Sequence, residues 1–379
     1  MKPDLEVAVL TTSQAFAALK EEWKDLYEDS ARSTPFQSWP WLYSWWEAFG
    51  EEGYELRLIT VREGRLLVGL IPLMLEHWWG FRKLVFIGCC AQMDFLARKG
   101  WEGKVSEAGI RALRQMDSWH VMDLRDVNPA AASWNIVQRW DGPRTHQLTD
   151  CYLFIEVKPW DRLLTSLSTK HRNTVRRTLR RAKEDDVVCS MLAGPGEAEQ
   201  AARRLVARHR ELRQGRDITW THTTPQFESF IVAAARRMAN EGLGMMLECW
   251  HNGKVILSSF TLIGDKAMYA YLVGVSQEAV RRYQWSSLGI HYTLSIARDR
   301  HRAYVCLGQG GDSYKQKWPH EDVPYYQIIV GRGRILWRLY LAYLSLRAKG
   351  VSYVKADSTP KMITNAIKWL RRLTRKSLH

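Results

Sequence analysis

No run of 18 apolar residues occurs in this 379-residue chain, and its first residues, Met1-Lys2-Pro3-Asp4-Leu5-Glu6, carry no apolar signal core. A membrane-crossing helix and export by a visible signal are therefore not expected; the expectation is a cytoplasmic protein, or one peripheral at the inner face of the membrane. Cysteine is sparse. The six, Cys89, Cys90, Cys151, Cys189, Cys249 and Cys306, sit mostly within apolar runs and show no CxxC spacing, so reduced, buried thiols are expected instead of disulfides or zinc ligands. Neither an HExxH metal motif nor a Ser-His-Asp order is present, and the glycine-rich loop Gly308 to Gly311 lacks the Gly-Lys-Ser/Thr ending of a P-loop. Acid is almost missing from Gly331 to His379, which holds twelve Lys and Arg against Asp357 alone, so +11 of the formal net charge of +15 sits there. That imbalance points to an anionic partner, whether phosphate, nucleic acid, acidic glycan or membrane surface.

What is present describes a folded chain with ample core, 46% hydrophobic, and long enough that two domains are the default. The densest information lies between Met245 and Trp318. Met245 to Trp250 and Val255 to Leu262 read as strands joined through His251-Asn252-Gly253-Lys254, and Asn-Gly is the strongest short hairpin signal. Ala267 to Val275 continues the sheet, a helical pattern begins after Arg281 to Gly289, and Ala303 to Leu307 is a short buried strand. It opens into Gly308-Gln309-Gly310-Gly311-Asp312-Ser313-Tyr314-Lys315, where the glycines permit backbone conformations and close approach that side chains forbid.

Earlier in the chain, Leu5 to Leu10 reads as a strand, and Phe16, Leu19, Trp23 and Leu26 as the buried stripe of a helix. Trp41 to Phe49 reads as an aromatic helix. Arg57 to Thr60 and Arg65 to Leu73 form a hairpin around Glu63-Gly64, which overlays the later hairpin without a gap at a constant offset of 189 residues. An offset of half the chain suggests a duplicated domain. The organisation expected is α/β (α+β), two tandem domains over 1–158 and 159–330, each a mixed sheet flanked by helices, and a basic helical tail over 331–379.

Ser168 to Lys183 carries seven basic residues and no acid, with Leu164, His171, Val175, Leu179 and Ala182 along one stripe. Lys170, Arg172, Asn173, Arg176 and Arg177 are its candidate anion-binding residues. In the tail, Ile335 to Leu346 reads as an apolar helix with flanking arginines, and Thr359-Pro360 opens a second, with Ile363, Ala366, Ile367 and Leu370 on one stripe. Basic amphipathic helices of this kind lie on anionic membrane surfaces or pack on their own protein.

Four stretches in order, Pro35 to Trp41, Ser168 to Arg177, Arg282 to Gly289 and Leu307 to Lys315, resemble the GNAT-fold acyltransferases of the CelD-like, cellulose-biosynthesis-associated group, relatives of the FemAB peptidyltransferases. The resemblance covers about residues 5 to 320 and implies two tandem GNAT-like domains. It implies acyl-CoA, acetyl-CoA foremost, as co-substrate, with Tyr283, Ser286, Ser287, Leu288 and Gly289 at its pyrophosphate, since helix N-termini cradle phosphates. That turn has a single glycine where ordinary GNAT enzymes have a glycine-rich one, and Fem relatives use aminoacyl-tRNA.

Acyl transfer needs a base for the acceptor and a donor to the oxyanion. The candidates are Asp94 as base, with Tyr314 and Lys315 near the oxyanion or an acceptor phosphate; His222 and His291 are secondary candidates. The reading expected is transfer from acyl-CoA to an amine or hydroxyl of a sugar, polysaccharide or cell-envelope precursor, without metal. The competitors are a Fem-type aminoacyl-tRNA ligase and a non-catalytic adaptor binding nucleic acid or membrane.

Overall fold

The computed structural model describes residues 5–78, 80–89, 92–213 and 220–355. In chain order, the first half forms β1 (Glu6–Leu10), α1 (Ser13–Ala18), α2 (Lys20–Asp29), α3 (Trp39–Phe49), β2 (Tyr54–Glu63), β3 (Leu66–Trp78), β4 (Phe81–Phe86), β5 (Leu96–Ala97), α4 (Glu102–Gln115), β6 (Val121–Val127), α5 (Asn135–Arg139) and β7 (Arg144–Glu156). The second half forms α6 (Trp160–Ser166), α7 (Thr169–Glu184), β8 (Val188–Leu192), α8 (Pro195–Arg213), α9 (Pro225–Asn240), β9 (Gly244–His251), β10 (Lys254–Ile263) and β11 (Ala267–Val275). It ends with α10 (Gln277–Arg282), α11 (Trp285–Asp299), β12 (Tyr304–Gln309), β13 (Glu321–Gly331) and α12 (Arg334–Lys355).

The elements group into two compact units. The first comprises Met1–Trp39, Phe49–Thr149 and Tyr325–His379, the second Pro40–Ala48 and Asp150–Pro324. In the first, the strands run β1-β2-β3-β4-β6-β13, with β5 paired to β3; in the second they run β8-β9-β10-β11-β12-β7. Each half of the chain thus contributes its final strand to the other unit's sheet: β7 pairs antiparallel with β12, and β13 pairs antiparallel with β6. In both units the helix-connected strands, β4 with β6 and β11 with β12, are parallel neighbours, as crossover connections require.

Local chemistry explains the hairpin and the basic helix. Asn252 and Gly253 both take positive φ, 49° and 70°, the two-residue turn that matches strand twist. Ser168 Oγ caps α7 by accepting from the His171 N–H, and His171, Val175, Thr178 and Ala182 form its buried stripe. Leu179, assigned to that stripe by its spacing, is half-buried against the core of the second unit.

In the first unit, Asp123 on β6 is 2% exposed and accepts hydrogen bonds from Gln327 Nε2 and Tyr340 Oη, both at 2.6 Å. These bonds tie β13 and α12 to β6. Burial, and then the Asp123 carboxylate, hold the Tyr340 phenol far above its ordinary range. While Tyr340 packs with Val121 and Ile329, the other side of α12 exposes Ile335, Leu339 and Leu346. The tail helix expected from Thr359 onward lies outside the described residues.

One expectation is corrected. Cys189 and Cys249 are joined in a disulfide, because the antiparallel register of β8 on β9 sets the two residues directly opposite each other. Cys151 and Cys306 are free, half-buried and buried respectively, while Cys90 lies outside the described residues. No helix among the described residues is long and apolar enough to cross a membrane.

Candidate functional site

The site is built where two parallel strands part. β11 and β12 pair only through Ala267↔Tyr304, Met268↔Val305 and Tyr269↔Cys306. Just beyond, Phe260 opposes Leu272 and Thr261 opposes Ala270, so Tyr271 is the extra residue of a bulge, a feature that bends a strand and increases its twist. Tyr271 is held from behind by Trp41, their ring centroids 4.8 Å apart at an interplanar angle of 84°. The diverging strands leave a cavity of about 240 Å³ lined by Ala270 to Val273 of β11, Leu307 of β12, Ser286, Gly289 and Ile290 of α11, and Tyr314 and Lys315.

The first unit, with the same strand and helix order, is packed tightly at the corresponding helix. A Cβ on Gly69 of β3 would lie 2.4 Å from Val105 of α4, and one on Gly109 of α4 would lie 2.1 Å from Ile71. Gly289 of α11 has only Leu257 Cδ1 within range, at 3.4 Å. Close glycine-mediated packing brings α4 onto its sheet, whereas α11 leaves room for a ligand at Gly289.

A second cavity, about 390 Å³, adjoins the start of α11 and shares Trp285 with the first. Its walls carry Arg177 and Arg181 from α7, Arg281 and Arg282 from α10, and Tyr283. Gln284 gives α11 no side-chain cap, so the helix presents its N-terminal N–H groups and positive dipole end here. Ser287 Oγ, in the first turn, is buried without a hydrogen-bond partner. Asp185 engages Arg282 bidentately and accepts from Tyr283 Oη at 2.6 Å. Arg282 and then Tyr283 hold the Asp185 carboxyl well below its usual range, while burial and then Asp185 push the Tyr283 phenol up to about 12. Among the described residues no carboxylate forms an ion pair with Arg177, Arg181 or Arg281, and Arg181 donates to the Arg282 carbonyl at 3.4 Å.

The residues proposed from the sequence are distributed as follows. Ser286 and Gly289 line the first cavity, and Tyr283 and Arg177 the second. Leu288 packs in the core with Leu257 and Val275. Lys170, Arg172, Asn173 and Arg176 line neither cavity; Arg172 donates to Thr169 Oγ1 at 3.4 Å. Lys315, its side chain 9% exposed, donates from Nζ to the Gln309 carbonyl at 2.6 Å and pairs with Asp312 at 3.1 Å. It closes the loop in which Gly308 and Gly310 take φ of 78° and 95°. Tyr314 sets its ring 5.4 Å from that of Trp285.

Asp94 belongs to the first unit and Lys315 to the second. The Asp94 carboxylate is buried and accepts from the backbone N–H groups of Phe95, Ala132 and Ser133 at 2.7–2.8 Å. Desolvation raises its pKa, and the bonds to Ser133 and Ala132 oppose that rise. This arrangement ties the loop after β4 to the segment following β6, beside a polar cavity of about 320 Å³. His291 of α11 sits with its ring 4.2 Å from Trp160, and burial, then Arg298, pushes its pKa down to about 4.

Sequence reasoning missed Arg181, Arg281, Arg282 and His209 as site residues. For Arg181 there is a signal, since it follows Arg177 by four residues on a helix and so shares its face. His209, on α8, donates from Nδ1 to the Val273 carbonyl at 2.9 Å and contacts His222 Nδ1 through Nε2 at 3.1 Å. Both rings line the first cavity.

Comparison with known proteins agrees with this architecture. Residues 169–316 match the family model described as Acetyltransferase (GNAT) domain. The fold is a GNAT fold, and the lining residues of both cavities lie within the matched region. Among solved structures, the chain is similar to FemX, with 11% identity, a TM-score of 0.60, and coverage of 88% of this chain and 99% of that one. It is similar to the C-terminal domain of a putative lysylphosphatidylglycerol synthetase from Agrobacterium fabrum, with 11% identity, a TM-score of 0.56 and coverage of 87% and 97%. A third is L-PGS from Bacillus licheniformis, with 12% identity, a TM-score of 0.54 and coverage of 83% and 93%. At these identities the likeness is one of fold. No curated protein matches the chain in sequence.

Proposed function

We propose that this protein is an acyltransferase of the CelD-like group that moves an acyl group from acyl-CoA to an amine or hydroxyl of a sugar or cell-envelope precursor. The observation that carries the reading is the parting of β11 and β12 into a cavity whose neighbour is walled by arginines at the start of α11. A thioester donor has an acyl arm and a phosphate-bearing carrier, and these residues fit both. The narrow cavity takes the arm beside Gly289 and Tyr271, while Arg177, Arg181, Arg281 and the α11 N-terminus meet the phosphates. Lys315, by fixing the glycine loop, keeps Tyr314 against Trp285 where the cavities meet. Asp94 is assigned the role of holding its two loops in the first unit. The basic segment after Gly331 suits an acceptor carried on an anionic surface.

The test is thermal stabilisation by acetyl-CoA, longer acyl-CoAs and aminoacyl-tRNA. Acetyl-CoA is expected to raise the melting temperature, and Arg177→Ala or Arg281→Ala to weaken its affinity by about 10-fold each, the scale of one charge-assisted hydrogen bond. Stabilisation by aminoacyl-tRNA alone would transfer the protein to the Fem-type reading, and no response to either would defeat the transferase reading.

Gly289 separates space from stability. Its φ needs no glycine and a Cβ would sit in ordinary contact with Leu257 Cδ1 at 3.4 Å, so Gly289→Ala is expected to stabilise α11 by up to about 1 kcal/mol. Gly289→Leu is expected to occupy the cavity and raise the acetyl-CoA dissociation constant at least about 10-fold. Melting curves and titration calorimetry check the pair; unchanged affinity in the leucine variant would place the acyl arm elsewhere.

A further inference from the structure

The arginine-walled cavity uses only part of the charge on α7. We infer that the remaining exposed face of α7 docks an acidic protein that carries the acyl group on a phosphate-linked thioester arm, an inference that rests on the donor cavities proposed above. The helix has seven Lys and Arg and a single acid, Glu184, which meets Arg180 at 3.5 Å. The next carboxylate, Asp185, is committed to Arg282 and Tyr283, and Asp186 follows it beyond the helix end. Among the described residues no carboxylate forms an ion pair with Lys170, Arg172, Arg176, Arg177, Arg181 or Lys183. Arg172 donates to Thr169 Oγ1 and Arg181 to the Arg282 carbonyl, both at 3.4 Å, and neither bond neutralises the charge.

The helix sorts these cations into two rows. His171, Val175, Thr178 and Ala182 take the side that faces the core. At 3.6 residues per turn, Lys170, Arg177 and Arg181 fall on one flank of that stripe, and Arg172, Arg176 and Lys183 on the other. Arg177 and Arg181 line the second cavity. Lys170, seven residues before Arg177, carries their row about 10 Å further along the helix axis. Lys317 is exposed and acts electrostatically on His171 in the first turn of α7, so the positive surface continues at that end.

A nucleotide seated in the cavity leaves Arg172, Arg176 and Lys183 unmet, because they line neither cavity. Their partner has to extend over the convex outside of the helix. No Phe, Tyr or Trp stands on α7, so it offers no stacking platform of the kind that holds single-stranded nucleic acid. Its large apolar residues, Val175 and Leu179, are buried and half-buried, which leaves α7 nothing to insert between lipids. What remains is charge at helical spacing, and carboxylates set on the 5.4 Å pitch of another helix complement it. Matching of this kind fixes register and speeds encounter. The row through Lys170, Arg177 and Arg181 then leads the partner's arm to the cavity that shares Trp285 with the acyl cavity.

Titration calorimetry on the full chain tests this, with the acidic acyl carrier protein of bacterial fatty-acid synthesis as probe. It is used acetylated and in its apo form without the arm, beside acetyl-CoA and unacylated tRNA. The acetylated form is expected to bind, and the apo form to bind more weakly and to lose at least about 10-fold between about 50 mM and about 300 mM salt. Lys170→Glu combined with Arg176→Glu is expected to weaken both forms at least about 10-fold, with acetyl-CoA affinity kept within about threefold. The same charge change at Arg65 and Lys254, exposed in the two hairpin turns, is expected to leave carrier binding within about threefold. Melting curves check folding, and Lys170→Gln with Arg176→Gln is expected to show a loss of at least about fivefold without added acid. Equal weakening by the hairpin variant would reduce the effect to net charge and overturn the proposal. Binding of tRNA through Lys170 and Arg176 without carrier binding would overturn it too. If acetyl-CoA binds and neither carrier form does, the docking face fails and the donor site stands. If acetyl-CoA does not bind, yet the apo form does and is weakened by Lys170→Glu with Arg176→Glu, the donor assignment fails and the docking face stands.

Discussion

Replacing Arg204 with alanine is expected to cost the second unit about 2–3 kcal/mol, because it leaves the buried Glu248 carboxylate without its partner while the guanidinium itself is partly exposed. Glu248 on β9 is fully buried and is met bidentately by Arg204 of α8, Nε at 2.9 Å and Nη2 at 2.8 Å. Without the guanidinium, its carboxylate must either remain charged in the sheet or take up a proton, and both outcomes favour unfolding. Glu248 raises the Arg204 pKa against desolvation. The double variant Arg204→Met with Glu248→Gln removes both charges and is expected to recover most of the loss. Urea denaturation measures both; a single variant within 1 kcal/mol of wild type, taken as a rough bound, would show that the pair contributes little.

Acidification is expected to weaken the second unit through His291. Burial, followed by Arg298, lowers its folded pKa to about 4 from the ordinary histidine value of 6.5. The folded state resists a charge that the unfolded chain accepts. Its stabilising contribution is therefore present in full above about pH 6.5 and is lost as pH falls toward 4. A shift of this size would amount to about 3 kcal/mol, reduced to about 2 because the side chain is partly solvated. His171, lowered by burial and then Lys317, acts in the same direction, and its ring centroid is 5.3 Å from that of Trp318. Melting curves from pH 7.5 to 4.5 should show a flatter acid limb for His291→Leu than for wild type. Parallel limbs would assign the acid sensitivity to other groups.

Much of the scaffold was legible because its signals are local. Asn252-Gly253 specifies a tight hairpin through two positive φ values, Ser168 caps the basic helix, and Ala267 to Val275 forms the strand its pattern indicates. The hairpin overlap at an offset of 189 residues also has a structural counterpart, since β2-β3 and β9-β10 occupy equivalent places in the two element orders. The cavity residues were legible only in part. Ser286, Gly289, Tyr314 and Lys315 occur near one another in sequence, but Arg177 and Arg281 are brought to one cavity by the packing of α7 beside α10 and α11. The disulfide was not legible either, because Cys189 and Cys249 are 60 residues apart and meet only through strand register.

The sequence by itself determined the elements, the half-length repeat, the basic helix and the concentration of charge after Gly331, since side-chain period, turn residues and composition act over a few neighbouring residues. The tertiary structure alone decided which unit receives β7 and β13, where β11 and β12 part, and which charged groups meet. It also brought two histidines together: His209 and His222 lie 13 residues apart, and only the fold sets His209 against the Val273 carbonyl.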